Sequence, residues 1–268
     1  MQKNDNRNLW LTMRVGRGTL SFAMPADDAE GKIDFEPYVV KSGISLAANL
    51  REAFGAANLL QQPPQRLRLV VDSPVLMVPI ELFDQDEMEV LYDHAFTRSE
   101  QDGVCYNVLP DLNAVAVFSL NKDLKLVADD HFPTVKVVAA MSPVWRHLHQ
   151  RSYTGNRRKL YGYFHERQLE VFAFQQNRFR FCNTFRAHQP EDALFFLLYV
   201  WKQLQLDPAY DELHIVGDIA DSDLLMSQLH RYLQNTYLIN TAVDLGSSSV
   251  TEIKGMPYDL QTLFLKGR

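Results

Sequence analysis

A chain of 268 residues, 46% hydrophobic and 22% charged, can bury a sizeable core as one large or two small domains, which sets aside disordered and fibrous classes. Its formal net charge of −6 excludes a global attraction to nucleic acid or to an anionic membrane. The longest apolar run, 193–201, falls short of the roughly 20 residues a membrane span needs. Residues 1–8 are polar without an apolar signal core, and Cys105 and Cys182 form no spaced motif. These features predict a cytoplasmic protein with reduced, buried thiols.

In chain order, residues 9–24 alternate around Gly16 and Gly18, which predicts a tight hairpin. An acidic loop at 25–31 leads to a third strand over 33–40. Apolar residues at Leu46, Ala47, Leu50, Phe54, Ala57 and Leu60 have helical spacing over 44–60, and Pro63-Pro64 ends that helix. A strand follows at 67–71, then a turn at Asp72-Ser73-Pro74 and an extended segment at 75–80. Asp84, with Glu87 three residues on, predicts a capped helix running to Phe96. Segments 104–109 and 114–120 form a second hairpin, followed by a helix at 121–130, a strand at 135–140 and a helix at 142–153.

After the basic stretch 154–158, the order begins again. Strands fall at 159–165, 169–175 and 178–185, a helix at 191–206 with Pro190 at its start, and a strand at 213–216. A helix at 222–234, a strand at 237–240, a serine-rich segment after Gly246 and a short helix at 258–266 complete the chain. The half-boundary is placed at 155/156, giving lobes 1–155 and 156–268. Phe172, Phe174, Phe179, Phe181 and Phe185 alternate and predict one buried sheet face.

Three strands, helix, strand, helix, strand is an α/β pattern with a mixed sheet, and the right-handed crossover rule makes the late strands parallel to the first. The order resembles the ribonuclease-H-like and actin-like ATPase superfamily. In particular, Leu69-Val70-Val71-Asp72-Ser73-Pro74, Val78-Pro79-Ile80-Glu81-Leu82-Phe83-Asp84 and Leu213-His214-Ile215-Val216-Gly217-Asp218 look like an uncharacterised bacterial family with an actin-like ATPase fold. The layout is similar to that of the cytoplasmic actin-like proteins of pilus and type II secretion platforms. The resemblance implies two tandem lobes, each a mixed sheet led by antiparallel strands and flanked by helices, with a nucleotide cleft between them.

By that resemblance, Gly16-Arg17-Gly18-Thr19 stands at the first phosphate loop. Backbone N–H groups in such a turn can cradle phosphate, but a plain hairpin turn explains the glycines as well. The family pattern has an aspartate just before this turn, where this chain has Met13-Arg14-Val15. The second loop should be rich in Asp and Gly, and here it is His165-Glu166-Arg167-Gln168, which reads as an exposed turn. Val216-Gly217-Asp218 keeps one glycine where related ATPases meet adenine and ribose, although Asp and Gly are also common at a strand-to-helix junction.

Asp72, Glu166 and Asp218 follow no nuclease spacing. His147 and His149, two apart on a helix, with His131 upstream, do not have ligand spacing. Arg146, Arg151, Arg157, Arg158 and Lys159 form one basic cluster without interleaved aromatics. Architecture without acids predicts a degenerate, non-catalytic binding or scaffold protein with an unidentified protein partner. It has no catalytic residue and no metal site, and no cofactor is expected. One alternative is a protein binding ATP with magnesium through Gly16, Gly18, Thr19, Gly217 and Asp218, with slow or no hydrolysis. Another is a nucleic-acid-associated protein using the basic cluster.

Overall fold

The structure, a computed structural model, describes residues 9–26, 31–61, 63–176, 178–246 and 248–265. The polar stretch 1–8, most of the acidic loop 25–31 and the end of the last expected helix, Lys266, lie outside the described residues.

The first lobe opens with β1 (Trp10–Val15), β2 (Leu20–Pro25) and β3 (Ile33–Tyr38). Helix α1 (Leu46–Ala56) follows, capped by Ser45, whose hydroxyl accepts from the Ala48 N–H, and then β4 (Arg66–Val71). Beyond an insertion come α3 (Lys122–His131), capped by Asn121, and β8 (Thr134–Ala139). The sheet order is β3-β2-β1-β4-β8, antiparallel on the hairpin side and parallel from β1 through β4 to β8. Leu11, Met13 and Val15 face a core with α1 and α3, which leaves Thr12 and Arg14 on the opposite face of β1.

The second lobe repeats this order. It comprises β9 (Lys159–His165), β10 (Gln168–Gln175), β11 (Arg178–Arg186), α5 (Pro190–Gln203), β12 (Glu212–Gly217), α6 (Ser222–Leu229) and β13 (Thr236–Leu238). Its sheet reads β11-β10-β9-β12-β13, with the same parallel and antiparallel senses. Leu160 and Phe164 face a core with α5 and α6. Tyr161 and Tyr163 face the other way, towards α4 (Met141–Ser152) and α8 (Tyr258–Phe264). These two helices pack on each other and join the two sheets, because Val70 and Ala23 of the first share a core with Trp145, Leu148, Leu260 and Tyr163. The inward face of each leading strand is therefore covered.

Only the first lobe carries an insertion among the described residues. It is a three-stranded antiparallel sheet, β5-β7-β6, built from β5 (Val75–Pro79), β6 (Asp102–Leu109) and β7 (Ala114–Asn121). Helix α2 (Met88–Ala95) covers it through Tyr92, whose hydroxyl donates to the Pro74 carbonyl at 2.9 Å. A four-residue helix α7 (Thr241–Asp244), capped by Asn240, precedes α8.

Three details correct the sequence expectations. Helix α2 starts at Met88, because Asp84 accepts from the Asp86 N–H in a tight turn and does not cap the helix. Helix α6 stops at Leu229, and the chain folds back so that the Gln234 N–H reaches the Pro208 carbonyl. The phenylalanines do not share one face. A bulge skips Arg180 in the β10–β11 register, so Phe172, Phe174 and Phe179 pack towards Trp145 while Phe181 and Phe185 pack against α5.

Candidate functional site

The parity of β1 sends Arg14 inward, under α8 and opposite the second lobe, where it is 4% exposed. A guanidinium withdrawn from water needs partners for its donors, and three carboxylates supply them. Nε donates to both oxygens of Asp259 at 3.0 Å, and Nη2 donates to Asp259 Oδ2 at 2.9 Å. Nη2 also reaches Asp72 Oδ2 at 3.4 Å, and Nη1 donates to Glu166 Oε1 at 2.6 Å. Asp72 directly follows β4, Asp259 lies in the first turn of α8 and Glu166 is in the β9–β10 turn, so one side chain ties four segments and both lobes. Burial works against the Arg14 charge, yet Asp259 and Asp72 outweigh it and hold its pKa well above the ordinary value. The Tyr163 hydroxyl donates to Asp259 Oδ2 at 3.2 Å, and burial, with Asp259 beside it, keeps that phenol protonated.

A second chain of charges runs through His165, at the end of β9. Its Nδ1 lies 3.1 Å from Asp72 Oδ2, and its Nε2 is 3.6 Å from Glu170 Oε1. Glu170 in turn accepts from Thr184 Oγ1 at 2.9 and 2.8 Å. Burial disfavours the imidazolium, but the two carboxylates win and push the His165 pKa up to about 10. Burial alone would raise Asp72; the hydrogen bond and charge of His165, with Arg14, instead hold it below its ordinary value.

The Gly16–Thr19 turn closes through the Gly16 N–H and the Thr19 carbonyl at 2.9 Å. Its donors converge on Glu166. The Arg17 N–H donates to Oε2 at 2.8 Å and the Thr19 hydroxyl to Oε1 at 2.7 Å. A Cβ at Gly16 would fall on this carboxylate, so only glycine permits the approach. Gly18, at φ 122°, supplies the positive-φ position of the turn and has open space around it. The expected exposed turn of the second lobe is thus corrected: Glu166 and Arg167, at φ 44° and 63°, reverse the chain and deliver the Glu166 carboxylate into the first lobe's turn, 21% exposed.

Beside this contact is an inter-lobe cleft of about 640 Å3. Thr19, Gly217 and Asp218 line it, with Phe35, Tyr38 and Tyr258 among its walls. Gly217, at φ 106°, packs so closely on the Phe164 carbonyl that a Cβ would overlap it, and the Asp218 N–H donates to that same oxygen at 2.9 Å. Of the five residues singled out in the sequence, Thr19, Gly217 and Asp218 line this cleft, whereas Gly16 and Gly18 shape the turn beside it and do not line it. Sequence reasoning missed Arg14, Asp259, Tyr163 and His165. A lone arginine between apolar residues of a strand that opens such a lobe was the available signal for Arg14.

The anion position of the turn is filled by a side chain of the protein itself, so this arrangement does not fit a triphosphate there without first expelling Glu166. Among the described residues no group of three or more His, Cys, Asp or Glu could hold a metal ion. His147 bonds Asp244 at 2.8 Å, held neutral by burial and Arg151 with a pKa of about 4; His149 packs on Phe174, and His131 stacks on Phe54. The basic cluster is internally paired. Arg146 meets Asp111, Arg151 meets Asp244, Arg157 meets Glu212, Arg158 meets Asp211, and Lys159 donates to the Thr154 hydroxyl at 2.9 Å.

The fold and this inter-lobe cleft define an actin-like ATPase fold, and comparisons with known proteins agree. A crystal structure from Bacteroides thetaiotaomicron, a protein with actin-like ATPase fold and unknown function, aligns with a TM-score of 0.84 and 24% identity over 100% of this chain and 99% of its own. The PilM–PilN type IV pilus biogenesis complex contains a chain that aligns with a TM-score of 0.56 and 12% identity, over 97% of this chain and 98% of its own. No curated protein matches the sequence. Residues 2–236 match the family described as "Protein of unknown function (DUF3822)", and the chain belongs to that family.

Proposed function

We propose that this chain is a non-catalytic actin-like protein that works by binding, as a scaffold for a protein partner. The observation that carries the proposal is Glu166 of one lobe seated in the glycine turn of the other, with Arg14 in the strand where the related ATPases keep an acid. Phosphoryl transfer depends on positioned metal and charge around the phosphates. Here the donors that would meet a phosphate are already spent on a carboxylate. The similarity to a chain of the PilM–PilN complex supports a protein partner at the level of fold. No helix among the described residues is long and apolar enough to cross a membrane, which is compatible with a cytoplasmic location. Division into lobes 1–155 and 156–268 is part of the same reading.

Two measurements test it. Purified protein should hydrolyse ATP with magnesium no faster than buffer, and calorimetry should show no binding at millimolar ATP. Magnesium-dependent turnover that disappears in Gly18→Val would overturn the proposal.

A further inference from the structure

We propose that the inter-lobe cleft is a binding site for an organic cation of the guanidinium or primary-amine class, presented either as a small molecule or as a side chain. This rests on the non-catalytic binding reading above and says what the cleft takes in place of a nucleotide.

The first reason is charge. Around the cleft and the network behind it stand three cations, Arg14, Arg17 and His165, and five carboxylates, Asp72, Glu166, Glu170, Asp218 and Asp259. Four of the carboxylates are engaged by Arg14, His165, Thr19, Thr184 or Tyr163. Asp218 is different. It is exposed in the cleft wall and makes no ion pair and no side-chain hydrogen bond among the described residues. Three cations against five carboxylates leave the cleft and the network behind it with a net charge of −2, and Arg17, whose backbone N–H meets Glu166, lies in the exposed turn outside the cleft's lining. A phosphate ester would meet repulsion as well as a filled anion position, while a cation would meet an open acceptor.

The second reason is the walls. Phe35, Tyr38 and Tyr258 border the space. An aromatic face attracts a cation through its quadrupole, and the attraction grows as water is excluded. A neutral apolar ligand could fill the same walls, but it would cover Asp218 without pairing it and so incur the cost of burying a lone carboxylate. A cation offsets that cost with a charge-assisted hydrogen bond. The volume of about 640 Å3 lies within the roughly 300–1,000 Å3 of small-ligand sites, ample for a guanidinium on a short alkyl stem.

The test is calorimetric titration of the full chain with agmatine, with the blocked tripeptide Gly-Arg-Gly and with magnesium ATP. Agmatine and the tripeptide should bind in the micromolar to millimolar range, and Asp218→Asn should weaken both by about five- to tenfold. Circular dichroism of that exposed-site variant checks folding, and Asp218→Lys should abolish binding. Binding of the tripeptide at least as tight as agmatine assigns the cation to a protein side chain; binding of agmatine alone assigns it to a small molecule. If neither probe binds at millimolar concentration, or if Asp218→Asn binds like wild type, the cation site is wrong. In that case the scaffold reading survives. ATP binding would instead overturn the scaffold reading itself, so the two failures are distinguishable.

Discussion

The two lobes share a strand order, but their leading hairpins end in opposite chemistry. The β1–β2 turn is built on Gly16 and Gly18 and presents donors, while the β9–β10 turn has no glycine and presents a carboxylate. In the first, the absence of a Cβ lets an anion come close. In the second, two residues accept a left-handed backbone so that Glu166 can be that anion. Duplicated topology has thus been fitted together as cradle and occupant, with Arg14 buried on the first side and His165 buried on the second. The difference teaches that a glycine turn of one lobe can direct its donors onto a carboxylate of the other.

The comparison is broken most severely at Arg14. Arg14→Met leaves Asp259 buried without its cation and Asp72 with His165 alone, and urea denaturation should show a loss of about 3–5 kcal/mol. A loss below about 1 kcal/mol would mean that the network does not hold the lobes together. The counterpart network is tested by pH. His165 has its pKa raised from 6.5 to about 10 in the folded protein, so its stabilisation is complete below 6.5 and lost as pH rises through about 10. Asp72 has its pKa lowered, so its contribution is present above its ordinary value of 3.8 and lost as pH falls through the depressed folded value. Stability should therefore decline at both ends, and His165→Gln should flatten the alkaline limb and also weaken the acid limb, because His165 is the main group that holds the Asp72 pKa down.

Next in size are the glycines. Gly217→Ala combines a positive φ with overlap on the Phe164 carbonyl and should cost about 2 kcal/mol or more, whereas Gly18→Ala meets open space and should cost about 1–2 kcal/mol for its backbone alone. Equal losses would show that close packing at Gly217 is unimportant. Binding tests at that junction are better made with Asp218 variants, which leave the backbone intact.

The cradle and occupant are separated by a double-mutant cycle. Gly16→Ala and Glu166→Ala should each destabilise by about 1–3 kcal/mol, and the double variant should lose less than their sum, because removing the carboxylate removes one of the two side chains, Glu166 and Thr19, that a Cβ at position 16 would strike. Glu166→Ala should also gain weak, millimolar pyrophosphate binding that wild type lacks, read by calorimetry. Additive losses and no anion binding would show that the turn is merely a hairpin. The smallest effect belongs to the paired surface: Arg157→Gln should change stability by no more than about 0.5 kcal/mol.

Much of the architecture was legible in the chain. Strand and helix periodicities located nearly every element, and the repeated order of strands and helices anticipated two sheets of one topology, because the crossover rule leaves few arrangements. Gly16, Gly18 and Gly217 could be singled out because each marks a backbone that other residues fit poorly. Alternation along β1 and β9 also determined that Arg14 and His165 point away from Leu11, Met13 and Phe164. Alternation alone cannot tell a solvated face from a covered one. Only the tertiary structure decided that α4 and α8 close over these inner faces, and that Asp259, 245 residues from Arg14 in the chain, arrives as its partner. The same packing turned Glu166 from an exposed turn residue into the occupant of the other lobe's cradle. The physical reason is that ion pairing in a low-dielectric interior depends on which distant segments exclude the water, and local sequence pattern carries no record of that.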